Sequence, residues 1–312
     1  MYEKIIVVTR KTRLEELIER FNSREQARFY IEHMGADFSD YEREHDAYQH
    51  ALRELRQRLA SFRALKIQFI ERGFLPNFLF GDKDIVVTIG QDGLVVNTAK
   101  YLHQQPMVAI NPDPARFDGV LLPFRVPQVG QVISNLLAER SQTRAITMAE
   151  AHLNDGQSIL AFNDLFIGVR THVSARYSIT LGQQQERHSS SGIIISTGAG
   201  STGWLSSMFH MAAGIARFAG GTEADLTASQ FRFGWEEPKL LFVVREPFVS
   251  QTTQAGLVAG VLPAGEELQL ESHIPDQGII FSDGVEADYL AFNSGAIARI
   301  RVAERKTLLV VN

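Results

Sequence analysis

Two segments of this chain set glycines, hydroxyls and a carboxylate directly behind short apolar runs, a combination suited to handling phosphate. The first is Ile89-Gly90-Gln91-Asp92-Gly93-Leu94, which follows the strand candidate Asp84 to Ile89. Ligands of open α/β sheets bind beyond the C-terminal ends of parallel strands. There, Gly90 and Gly93 let backbone N–H groups approach an anion, and the helix behind them offers its partly positive N-terminus. Asp92 has two readings. As an N-cap it satisfies the amides of its own helix. As a functional carboxylate it takes a hydroxyl proton or helps to hold Mg²⁺ beside phosphates. The loop is not a Walker A motif, because no Lys-Ser/Thr follows the glycines. Nor is it a Rossmann G-x-G-x-x-G: Asp92 stands where the second glycine belongs, although Asp113 falls near the spacing of a ribose-binding acid.

The second segment, Ser189 to Ser207, reads SSSGIIISTGAGSTGWLSS. A buried strand, Ile193 to Ile195, runs into Thr197-Gly198-Ala199-Gly200-Ser201-Thr202 and then into a helix. Small residues permit close approach, hydroxyls donate, and a helix N-terminus again favours an anion. A hydroxyl-capped strand-to-helix turn is the alternative. Asn163-Asp164 interrupts the apolar stretch LAFNDLFIG. Leaving such a pair buried and unpaired costs about 1–3 kcal/mol, so it faces a cavity or marks a bulge or strand end. Asp283-Gly284, in FSDGVEA, is both a candidate site and a strong hairpin signal.

The flanking patterns show what positions these residues. Lys4 to Thr9 is a continuous apolar strand of the kind buried in a parallel sheet. Thr12 to Glu15, Ser23 to Gln26 and Ser39 to Glu42 read as capping boxes, with Gly35 closing the second helix. Tyr41, His45, Tyr48, Leu52, Leu55, Leu59 and Phe62 form a heptad-like seam, read as packing on the sheet, with a dimer interface as the alternative. Asp84 to Ile89, a helix over Leu94 to Leu102, and Met107 to Ile110 make a βαβ unit. Val129 to Arg140 is a further helix.

Beyond residue 142 short strands dominate. Arg144 to Leu153 and Gln157 to Gly168 form a hairpin about Asp155-Gly156. Ala175 to Leu181, Gly192 to Ser196, Lys239 to Arg245, Glu267 to Ser272, Gly278 to Phe281 and Ile297 to Val302 follow, and one helix over Trp204 to Phe218 interrupts them. The fold class is α/β plus all-β: a Rossmann-like parallel-sheet domain over residues 1–130 and a C-terminal β-sandwich over 131–312, whose last strand can return to the first domain.

Composition excludes several functions. The 312 residues carry a formal charge of −5 and contain no cysteine, which removes disulfide frameworks, thiolate catalysis and zinc ribbons. Mild acidity without a basic block argues against nucleic-acid binding. No apolar run approaches the ~18 residues of a membrane span, and the N-terminus does not read as a signal or transit peptide; a cytoplasmic protein is expected.

In order and spacing, the four segments resemble the ATP-NAD kinase family. That family carries a GGDGT loop, an Asn-Glu or Asn-Asp pair, a strand leading into ST-x-x-GS-x-x-[YW], and a DG turn. Here the matching residues are Gly90 to Leu94, Asn163-Asp164, Ser196 to Trp204 and Asp283-Gly284. The stretch VAINPDPARFDGVLLP (Val108 to Pro123) and the Ser-Ser-Gly before the last loop are most similar to the mitochondrial-type branch. The resemblance implies NAD bound between an α/β domain and a β-sandwich, with ATP and Mg²⁺ phosphorylating the 2′-hydroxyl of its adenosine ribose to give NADP. It implies Asp92 as general base or orienting carboxylate, and backbone amides of Gly90 and Gly93 near phosphate. Asn163 and Asp164 would hydrogen-bond the dinucleotide. Thr202, Gly203 and Trp204 would line its pocket, with Ser191, Thr197, Ser201 and Ser207 completing the binding residues. No protein metal site is implied, and the chain would be a homodimer or tetramer. Gln91 and Leu94 replace the family's second glycine and terminal threonine. Two other readings stand beside this one: an NAD(P)-binding sensor of weak or no activity, and a lipid kinase of the diacylglycerol type, for which no basic amphipathic helix is visible.

Overall fold

The computed structural model describes residues 2–220 and 231–311. They form two compact units, Met1–Arg144 with Thr307–Asn312, and Ala145–Lys306.

In the first unit the strands are β1 (Lys4–Thr9), β2 (Lys66–Glu71), β3 (Asp84–Ile89), β4 (Pro106–Asn111) and the short β5 (Phe124–Arg125). The helices are α1 (Arg13–Phe21), α2 (Arg24–His33), α3 (Phe38–Leu59), α4 (Asp92–Ala99) and α5 (Val129–Leu137). β1 lies between β2 and β3, and β4 extends the sheet from β3, all parallel. This is the expected parallel sheet, and every residue of β3 and β4 is buried. β2 was not evident from its sequence, KIQFIE, because it is a half-exposed strand at the sheet edge whose polar residues break up the apolar run. The seam of α3 packs on the sheet: Tyr48, Leu55 and Leu59 share a core with Ile5, Val7 and Val87. His45 is a packed residue, its Nδ1 2.9 Å from Thr12 Oγ1.

Helix starts follow the sequence signals with two corrections. Thr12 and Glu15 form the reciprocal box, and Ser23 accepts from the Gln26 amide. The cap of α3 is Asp37, which accepts from the Ser39 amide, rather than Ser39 itself. The next helix likewise begins at Asp92, two residues before the expected Leu94.

The second unit contains β6 (Gln142–Leu153, entering from the first unit), β7 (Ser158–Ala161), β8 (Asp164–Val169), β9 (Ala175–Leu181), β10 (Gln184–Ser190), β11 (Ile193–Ser196), α6 (Trp204–Phe218), β12 (Lys239–Val244), β13 (Ala259–Pro263), β14 (Leu268–Ser272), β15 (Gly278–Ser282), β16 (Val285–Ala291) and β17 (Ile297–Val311). One sheet runs β13-β12-β11-β8-β15-β16; β6, β7, β9, β10, β14 and the first part of β17 face it. Ile167, Ile195 and Phe242 of the first sheet share a core with Tyr177, Leu270 and Ile300 of the second, so the unit is the expected sandwich. The segment read as one strand over 157–168 is two, β7 and β8, belonging to different sheets and parted at Phe162-Asn163. The far end of β17 pairs with β4 through Leu308 and Leu309, parallel, within the first unit. No helix among the described residues is long and apolar enough to cross a membrane.

Candidate functional site

The residues singled out by sequence fall into two groups, one per unit. In the first unit, β3 ends at Ile89, and Gly90-Gln91 lead directly into α4. Neither Gly90 nor Gly93 takes a positive φ, and Gln91 sits at φ −97° and ψ 170°, ordinary extended backbone. A side chain at position 91 is therefore accommodated without strain. Gly90 is required for packing instead: a Cβ there would lie 2.8 Å from Leu94 Cδ2. Leu94 is buried beneath it.

Asp92 is not the N-cap that one of its two sequence readings made it. It is the first residue of α4, whose N-cap is Gln91, and no side chain caps that helix. Its Oδ1 instead accepts from the backbone N–H of Leu121 at 2.8 Å. Leu121 belongs to the loop after β4, and this loop is itself pinned. Asn111 Oδ1 accepts from the Asp113 amide, and Asn111 Nδ2 donates to the Phe117 carbonyl at 2.9 Å. Gly119 turns the chain at φ +65°, where a Cβ would meet Asn111 Nδ2 at 2.7 Å. Asp113 lies 3.6 Å from Arg116 Nε in the same turn.

In the second unit, the break between β7 and β8 is built by Asp283. Its carboxylate accepts from the amides of Phe162, Asn163 and Asp164 at 3.0, 2.7 and 3.2 Å. Asp283 and Gly284 have φ of +55° and +71°, forming the two-residue turn between β15 and β16. The Asp-Gly pair is thus a hairpin turn whose acid also organises Asn163-Asp164. The carboxylate role was not foreseen; the break in an apolar run at Asn163 was the available signal.

Asp164 Oδ1 is buried and has no hydrogen-bond partner among the described residues. Burial, with the Asp283 charge adding to it, pushes this carboxyl up to about 7, against the lowering hydrogen bond from Ser196. The Thr197 amide donates to the Asn163 carbonyl at 2.9 Å, and Thr197 Oγ1 to the Phe162 carbonyl at 2.6 Å. A Cβ on Gly200 would lie 2.3 Å from the Asn163 carbonyl, so Gly200 permits the close approach of this loop to β8.

The hydroxyls of the loop divide by task. Thr197 and Ser201 are buried and spend their hydroxyls on backbone carbonyls. Ser207 bonds the Gly203 carbonyl within α6. Thr202 and Gly203 are exposed beside the start of α6, which no side chain caps. Helices α1, α2 and α3 each carry a capping side chain, whereas both helices behind the glycine loops, like α5, start without one, which leaves first-turn amides for an anion. Trp204 stacks on Phe166 at 5.7 Å, with Arg245 over both rings. Ser191 stands apart from this group, at the opposite end of β11 from Thr197. Among the described residues no three acidic or histidine side chains cluster as a metal site.

No protein-family model matches the sequence. A NAD kinase of Methanoregula boonei is 31% identical over 131 residues, which cover 40% of this chain and 46% of that protein, so the match spans about half the relative's length. The fold is similar to yeast NADH kinase complexed with NADH, with a TM-score of 0.57 at 15% identity, over 100% of this chain and 84% of that one. It is equally similar to an NAD kinase from Archaeoglobus fulgidus in complex with ATP: TM-score 0.57, 14% identity, 98% of this chain and 92% of that one.

Proposed function

We propose that this chain, which matches an NAD kinase over 40% of its length and shares the fold of NAD and NADH kinases, is itself an NAD kinase that transfers the γ-phosphoryl group of ATP to the 2′-hydroxyl of the adenosine ribose of NAD, giving NADP. The observation that carries this reading is the tether of Asp92 to Leu121. A carboxylate at the tip of a parallel strand, held through one oxygen by a backbone amide from another loop, is oriented before substrate arrives. Its other oxygen serves as the base. The ribose oxygen bonds to the γ-phosphorus as the bond to the β–γ bridging oxygen breaks; Asp92 takes the hydroxyl proton, and ADP leaves with the electron pair. General-base action of this kind contributes about 10²–10⁴-fold.

The uncapped start of α4, with the Gly93 amide in its first turn, binds phosphate oxygens. ATP would bring Mg²⁺ on its phosphates, with water completing the ion's shell, so the free oxygen of Asp92 stays available for the proton. Asn163 and the unpartnered Asp164 Oδ1 hydrogen-bond the dinucleotide, while Thr202, Gly203 and Trp204 contact it at the start of α6. A homodimer or tetramer and a cytoplasmic location belong to the same proposal.

One observation favours a second reading, the weakly active NAD(P)-binding sensor: Leu94 is buried, so the first loop has no hydroxyl where the family carries threonine. Incubation with NAD, ATP and Mg²⁺, followed by detection with an NADP-specific dehydrogenase, separates the two. NADP formation supports the kinase. Saturable NAD binding without NADP supports the sensor, and phosphorylation of diacylglycerol instead would overturn both.

A further inference from the structure

We infer that the second unit carries a binding site for a phosphorylated small molecule with a planar ring, lying between edge strand β10 and the segment 248–254. A cavity of about 400 Å³ opens there, a size typical of small-molecule sites, and its wall includes Arg176, Arg187 and Phe248. The register of β9 with β10 sets Arg176 opposite Ser189 and Arg187 opposite Ser178. Residues directly opposite, and those two apart along a strand, share a face, so both guanidinium groups project from the same side.

Neither arginine side chain has a hydrogen bond or ion pair among the described residues. In the first unit, by contrast, Arg10, Arg13 and Arg116 are each held by carboxylates. No acid lines this cavity itself, while Glu186 and Glu271 line the adjoining pocket that shares Arg187 and His273. Oε2 of Glu186 is already committed, accepting from His188 Nε2 and from the amides of Gly256 and Leu257. Two unpaired guanidinium groups on one face match a phosphate, which arginine binds through paired N–H donors.

The opposite wall is fixed in place. The Phe248 amide donates to the Ser189 carbonyl at 2.8 Å, and the Gln254 amide to the Arg187 carbonyl at 2.9 Å. Thr253 Oγ1 closes the segment on the Phe248 carbonyl at 2.7 Å. Phe248 is 65% exposed, which leaves its ring open to stack on a planar group while the arginines hold the phosphate. The simplest ligand of this description is a nucleoside monophosphate.

Calorimetry on the full chain with AMP, pyrophosphate and adenosine as probes tests this, and requires no turnover. Expected are an AMP-binding event that Arg176→Ala with Arg187→Ala weakens at least tenfold, and a pyrophosphate event weakened likewise. Adenosine binding should be unaffected by that pair. Phe248→Ala should weaken AMP several-fold and leave pyrophosphate unchanged. Arg53→Ala with Arg63→Ala removes the same charge from exposed positions of the first unit and should change nothing. Equal affinity and stoichiometry for AMP in the wild type and the Arg176/Arg187 variant would overturn the inference, as would loss of binding in the control pair. The Arg176/Arg187 variant should still form NADP at the wild-type rate, so failure here is distinguishable from failure of the kinase reading.

Discussion

Asp92 Oδ1 and the backbone N–H of Leu121 lie 2.8 Å apart, joining the first residue of α4 to the loop behind β4. The bond leaves the amides of α4 to other partners and fixes the direction of the carboxylate. A side chain oriented in advance loses little entropy when substrate binds, which is the condition for an efficient base.

Gly119 should be indispensable to that arrangement. Alanine there would adopt φ +65° and crowd Asn111 Nδ2 at 2.7 Å and Leu122 Cβ at 3.0 Å. Gly119→Ala is expected to lower stability by about 1–3 kcal/mol in urea denaturation. It is also expected to lower kcat, because the Leu121 amide moves with the turn. Unchanged kcat in a destabilised variant would show that the tether does not matter to the reaction.

Gly93 should behave in the opposite way. Its Cβ position meets nothing within 4 Å, and its φ is not positive. Gly93→Ala within α4 should raise stability by up to about 1 kcal/mol, from helix propensity alone. If phosphate rests against this backbone, the methyl group raises the KM for ATP. Gly200→Ala is the structural contrast: a Cβ 2.3 Å from the Asn163 carbonyl should cost about 1–3 kcal/mol or more in overpacking.

Asp164 gives the protein a pH signature. Its carboxyl titrates near 7 in the fold against an ordinary 3.8, so the folded state holds a proton that the unfolded chain has released between those values. The stability this confers is complete below about pH 4 and is lost as pH rises through 7. With about 1.4 kcal/mol per unit, the decline is of the order of a few kcal/mol. Asp164→Asn should abolish it: the variant should exceed the wild type at pH 8, and the difference should shrink toward pH 5. Parallel stability curves for the two proteins would show that Asp164 is already ionised in the fold.

Sequence legibility followed burial. Lys4–Thr9, Asp84–Ile89 and Ala175–Leu181 were readable to the residue because each is a run shaped by its place in a covered sheet. β10, with the sequence QQERHSS, was not legible: an edge strand needs no apolar face on its open side. The turn at Asp283-Gly284 was legible, but the three amides its carboxylate accepts lie about 120 positions away, and no local pattern encodes them. The same holds for Asp92. Its place at the end of a strand was written in the sequence, whereas its partner is a main-chain amide of Leu121, a kind of donor that every residue but proline offers.

Asp92→Asn separates a base at this position from a structural acceptor. Asparagine keeps an oxygen for the Leu121 amide, so stability should stay within about 1 kcal/mol of the wild type. NAD binding measured by calorimetry should persist, while kcat for NADP formation should fall by about 10²–10⁴. A variant that binds NAD and forms NADP at the wild-type rate would rule out Asp92 as the base.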